Sequence, residues 1–113
     1  MPGGAAPRAV VASEAGVRIA AMRDVMDAIG AAYDAEALIL TADDVGADFF
    51  DLRTGLAGEL FQKATQYGVR LALVLPDPAA HGPRWVDLAF EHRRHDAVRI
   101  VASRADADAW LAP

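Results

Sequence analysis

No cysteine occurs among the 113 residues, so the chain can form no disulfide, offers no thiolate nucleophile and contains no cysteine-based zinc site. That usage suits a reducing interior, and the cytoplasm is the expected location. Apolar runs are broken by charge well short of the about 18 residues that a membrane helix needs, and the N-terminus lacks the apolar core of a signal peptide. No membrane association is therefore expected. There is no G-x-G-x-x-G turn, no P-loop lysine and no calcium-loop spacing, so no cofactor or metal is called for. Basic charge is also in short supply. The net charge is -5; residues 1–80 hold eleven acidic and six basic side chains, and residues 81–113 five of each. A nucleic-acid binder presents a basic stripe to phosphates, and this chain has none.

What is present is enough for a core. With 54% hydrophobic and 24% charged residues the composition is that of a soluble globular domain. A chain of this length buries about two thirds of its unfolded surface and needs no borrowed core. Met1 to Arg8, rich in Gly, Pro and Ala, reads as a loose leader, and residues 9–113 read as one domain. Two short apolar runs, Ala9 to Ala12 and Val17 to Ala20, flank Ser13-Glu14-Ala15-Gly16, a connection of hairpin length. Arg23 to Tyr33 places Val25, Met26, Ile29, Ala32 and Tyr33 on one helical face. Glu36 to Thr41 predicts a strand, Val69 to Leu75 a central parallel strand, Pro83 to Arg94 a helix and Ala97 to Ala102 a last strand. Ser103, with Asp106 three residues on, is placed to cap a terminal helix. The expected fold is α/β: a mixed four- to five-stranded sheet in the order hairpin, then alternating helix and strand, then a terminal helix.

The most specified stretch is Asp48 to Phe61, DFFDLRTGLAGELF. From Leu52 onward, Leu56, Ala57, Leu60, Phe61 and Ala64 repeat at helical spacing, predicting a buried helix that runs to about Tyr67 and stops at Gly68. Gly55 and Gly58 inside it would cost about 2 kcal/mol relative to alanine. Close packing against the sheet would offset that cost, or the Thr54-Gly55 end stays exposed for a partner.

Each polar candidate has two readings. Thr54 is a phosphorylation candidate, where a phosphate would add about -1.5 to -2 charge near a helix start, or its hydroxyl satisfies a backbone carbonyl. Asp43, Asp44, Asp48 and Asp51 are a hard-oxygen cation cluster or helix caps, and capping is the preferred reading. Glu59 is an acid/base group or the surface partner of Lys63 at i, i+4. His81, His92 and His95 show no complete ligand set and are expected to face solvent; Arg93, Arg94 and His95 suit the negative C-terminus of their helix, and an anion site there is the less favoured reading. Trp85 and Trp110 are expected to cover the core.

The run FFDLRTGLAGEL over Phe49 to Leu60, followed by Gln62-Lys63 and a strand of VRLALV type, resembles the hallmark of the domain of unknown function 4180 family, a small bacterial family with no assigned activity. The likeness spans Ala9 to Leu111. More weakly, the element order and Phe50-Asp51-Leu52-Arg53-Thr54-Gly55-Leu56 resemble the STAS domain of anti-sigma-factor antagonists and sulfate transporters. In that family a hydroxyl residue before a glycine is phosphorylated by a partner kinase. The resemblance puts Thr54 in that role, although Leu52 and Arg53 stand between Asp51 and Thr54 where the family has no such insertion.

The combined expectation is a non-enzymatic regulatory or interaction domain that meets a protein partner through Asp48, Asp51, Arg53, Thr54 and Gly55. A small anionic or nucleotide ligand at the start of the same helix is the alternative, and an enzyme using Asp51, Thr54 or Glu59 the third reading. A homodimer is also left open.

Overall fold

The computed structural model describes residues 9–112, so the leader expected over residues 1–8 lies outside the described residues. Four strands, β1 (Ala9–Val11), β2 (Ala37–Thr41), β3 (Arg70–Val74) and β4 (Val98–Val101), form one sheet in the order β1-β2-β3-β4. Every pair is parallel, with Leu38 opposite Leu71 and Leu71 opposite Val98. A parallel pair cannot be closed by a tight turn, and the crossovers are supplied by α2 (Arg23–Tyr33), α4 (Leu56–Tyr67) and α5 (Pro83–Glu91). Each new strand is added on the same side of the last, so right-handed crossovers put all three helices on one face. There they cover Leu38, Leu40, Leu71, Leu73, Val98 and Ile100. The other face, with Ile39, Ala72 and Val74, meets α6 (Arg104–Leu111) through Ala107 and Leu111. The interior strands are thus apolar on both sides, which is why they read as unbroken runs.

The sheet is parallel throughout the described residues rather than mixed, because the opening hairpin does not form. After β1 the chain enters a single helical turn, α1 (Ala12–Ala15), closed by Gly16 in the left-handed region at φ 72°. The Val17 N–H donates to the Ala12 carbonyl, and Ile19 makes one parallel bridge, to Val45. Ala12, Glu14 and Ala15 are good helix formers, and the apolar run before them is too short to hold an antiparallel register against that preference. The STAS-like order, which opens on the hairpin, loses its first element with it.

Helix α2 has the predicted ends but a rotated face. It buries Val25, Ala28, Ile29 and Ala32, leaving Met26 and Tyr33 exposed. The three strands expected after the hairpin and the last helix stand within two residues of their expected ends, and α5 stops three residues short of Arg94. Ser103 Oγ accepts from the Asp106 N–H at 3.1 Å and starts α6. No helix among the described residues is long and apolar enough to cross a membrane.

Candidate functional site

The stretch after β2 is built as a joint rather than as one helix. Thr41 and Asp44 cap each other: Asp44 Oδ2 accepts from the Thr41 N–H at 2.7 Å and the Thr41 hydroxyl at 3.1 Å, which lets Asp44 sit buried. The Ile19 N–H donates to Asp44 O and the Gly46 N–H to Ile19 O, both at 2.9 Å, pinning the entry to α3 (Ala47–Phe50). Phe49 points inward and stacks on Trp85 with ring centres 5.8 Å apart. Phe50 lies at the surface of that cluster, its carbonyl accepting from Trp85 Nε1 at 3.0 Å and its ring stacked on His81 at 3.9 Å.

Leu52–Thr54 then make a 3-10 turn, and Gly55 takes φ 78° before α4 begins at Leu56. The continuous helix expected from Leu52 is therefore broken at Gly55, in a conformation that costs a residue with a Cβ about 1–2 kcal/mol. The buried set is nevertheless the predicted one, Leu56, Ala57, Leu60, Phe61 and Ala64, and Gly68 caps α4 at φ 70°. Gly58 does not serve close packing. A Cβ there would meet nothing within 4 Å, so this glycine faces open space.

Thr54 holds the joint together. Its hydroxyl lies 2.8 Å from the carbonyl oxygens of both Asp48 and Asp51, sharing its proton between them, and accepts from the Leu56 N–H at 3.2 Å. One small side chain thereby ties the end of α3, the 3-10 turn and the first turn of α4. Beside it Asp51 accepts from the Arg53 N–H and pairs with its guanidinium through both oxygens at 3.0 and 3.1 Å. The guanidinium, followed by that backbone N–H, holds the Asp51 carboxyl below its ordinary pKa, and Asp51 in turn raises Arg53. Asp48, Arg53, Thr54 and Gly55 are exposed and Asp51 half-buried, so all five predicted residues come together on one surface. The Arg53 side chain there is 91% exposed. Neither of two cavities elsewhere, of about 560 and 290 Å³, includes any residue from 48 to 55.

The joint lies at the carboxyl edge of the sheet, where open α/β sheets bind ligands at the point where strand order reverses. The described strands run 1-2-3-4 and have no reversal. A family model described as "Domain of unknown function (DUF4180)" matches residues 5–111. The chain belongs to the DUF4180 family. No curated protein and no solved structure matches it.

The remaining candidates in this DUF4180 chain are dispersed. No three His, Asp or Glu among the described residues stand close enough to hold a metal ion. Glu59 pairs with Lys63 at 3.8 Å, the expected i, i+4 contact. The three histidines do not simply face solvent: besides the His81 stack on Phe50, His92 packs against Phe61 and its Nδ1 meets the Leu88 carbonyl at 2.9 Å. His95 Nδ1 accepts from the N–H groups of Ala97 and Val98 at 3.0 Å each. Both tryptophans cover the core as expected: Trp85 is buried, and Trp110, half-buried, packs against the face that holds Ile39 and Ala72, with Arg70 and Arg99 over its ring. Two features of the DUF4180 fold were not visible in the sequence. One is the Phe50–His81 stack, which joins residues 31 apart in the chain and carries no periodic signal. The other is that Arg70 and Asp96 line the larger cavity together with Arg94 and His95, the latter two being the pair for which the sequence left an anion site as its less favoured reading.

Proposed function

We propose that this DUF4180 domain is a non-enzymatic, cytoplasmic interaction module that docks a protein partner on the exposed Asp48–Gly55 joint. The observation that carries the reading is the Thr54 brace. An exposed surface loop held by one hydroxyl at three backbone points is ordered before a partner arrives, so little conformational entropy is lost on docking. The Asp51–Arg53 pair on its crest supplies both signs of charge, and the Phe50–His81 stack beside it supplies apolar surface. The exposure of this surface, its lack of a share in either cavity and the sequential strand order favour a macromolecular partner over a small ligand at this place.

The same brace is a means of regulation. Phosphorylation at Thr54 replaces the hydroxyl proton by an anion facing the carbonyls of Asp48 and Asp51, which turns two attractive contacts into repulsive ones and opens the joint. The test is capture from native lysate on immobilised wild type, Arg53→Glu and Thr54→Asp, with melting temperatures recorded for each. A protein retained by wild type and released by Arg53→Glu, at an unchanged melting temperature, is the expected result. Identical retained sets on wild type and Arg53→Glu would remove the joint as the docking surface.

A further inference from the structure

The connection between α5 and β4 contains a histidine whose Nδ1 is fixed as an acceptor by geometry. His95 Nδ1 accepts from two backbone N–H groups, those of Ala97 and Val98. A ring nitrogen so engaged acts as an acceptor, which leaves the Nε2 edge of the ring as the one that can donate. His95 lines the cavity of about 560 Å³ together with Arg70, Arg94, Asp96, Gly68 and Ala97, a size within the range of small-molecule sites.

Cations at this end of the sheet have an obvious structural use, since helices α4 and α5 both end here and their last carbonyls carry partial negative charge. Part of that use is filled by other groups. At the end of α4 the Gly68 N–H takes the Ala64 and Thr65 carbonyls, and the Val69 N–H also takes Ala64. At the end of α5 the Arg93 guanidinium and His92 N–H take the Phe90 carbonyl, and His92 takes Leu88. Thr65, also on the cavity wall, gives its hydroxyl proton to Phe61 O. Arg70 and Arg94 are left without a carboxylate or carbonyl partner among the described residues. Arg70 rests 5.9 Å above the Trp110 ring, beside Arg99 at 4.9 Å. Arg99 is already committed, its Nε donating to His95 O at 2.8 Å.

We propose that this cavity is a binding site for a small phosphomonoester. The phosphate is held by the forks of Arg70 and Arg94 and by the Nε2–H of His95, while Asp96 accepts from a ligand hydroxyl. Guanidinium forks match the tetrahedral oxygens of phosphate, and charge-assisted bonds of this kind are the stronger class. Asp96 makes a bare dianion a poorer fit than one carrying donors, which points to a hydroxylated ester rather than to inorganic phosphate. The site lies apart from the Asp48–Gly55 joint and stands whether or not that joint docks a protein.

The test is an amide chemical-shift titration of the whole chain with glycerol 3-phosphate and with inorganic phosphate, at constant ionic strength. Saturable shifts at Gly68 and Ala97, with glycerol 3-phosphate the tighter ligand, are expected. Arg94→Glu should weaken binding about tenfold or more through loss of a charge-assisted fork. Arg84→Glu, the same charge change at the exposed start of α5, should leave binding within about twofold, since it removes no such contact. Shifts that rise linearly without saturation, or equal weakening in the two variants, would overturn the site. Equal affinity for the two phosphates would overturn the role of Asp96.

Discussion

Thr54 shows how much can rest on one hydroxyl. It closes three backbone contacts at a place where the chain leaves one short helix and enters a longer one, and no other side chain makes those contacts. Thr54→Val keeps the shape and removes the polar atom, leaving the Leu56 N–H and the Asp48 carbonyl to find water, while the Asp51 carbonyl still accepts from the N–H of residue 54. The expected loss is about 1 kcal/mol, the usual cost of deleting a capping hydroxyl at an accessible site. Urea unfolding checks it, and a change below about 0.3 kcal/mol would show that the brace is incidental. The residue type and its following glycine were legible in the sequence. Its partners were not, because Asp48 O lies six residues away across a bend that no periodicity announces.

At the scale of an element, the two glycines of the central segment separate cleanly. Gly55 occupies φ 78° and ends the 3-10 turn, whereas Gly58 lies inside α4 with open space where a Cβ would be. Gly55→Ala should therefore destabilise by about 1–2 kcal/mol from left-handed strain. Gly58→Ala should stabilise by about 0.5–1 kcal/mol through helix propensity. The opposite signs, read from denaturant midpoints of the two variants, form the check; a loss at both positions would mean that Gly58 is packed after all. The helical spacing of Leu56, Ala57, Leu60, Phe61 and Ala64 identified the buried face of α4 because that pattern is a property of the segment alone. Glycine's two uses, positive φ and absence of a side chain, leave the same letter in the sequence and differ only once the backbone is placed.

For the whole molecule, two carboxylates contribute to the dependence of stability on acid. The N–H groups of Ala20 and Ala21 hold Asp24 below its ordinary pKa near 3.8, and the Arg53 guanidinium does the same for Asp51. A folded pKa below the unfolded one means stability that is fully present above the unfolded value and lost as pH falls through the folded value. Thermal melts should therefore be flat above about pH 5 and fall below about pH 4, and Asp24→Asn should flatten that fall. An unaltered acid limb in Asp24→Asn would show that this carboxylate is not linked to folding.

The lengths, order and types of most elements, the α/β class and the membership of residues 5–111 in the DUF4180 family follow from the chain itself. They rest on local propensity and on patterns repeated within a segment, which need no knowledge of neighbours. Long-range contacts settled the rest. Whether residues 9–20 turned back as a hairpin or passed through α1 depended on β1 finding β2 as a parallel partner, and that made the sheet parallel. The meeting of Phe50 with His81, and of Arg70 with Arg94 and His95, depended likewise on crossovers that bring distant residues to one edge of the sheet. A side chain's chemistry is written at its own position, but the groups it meets are set by how the strands are ordered.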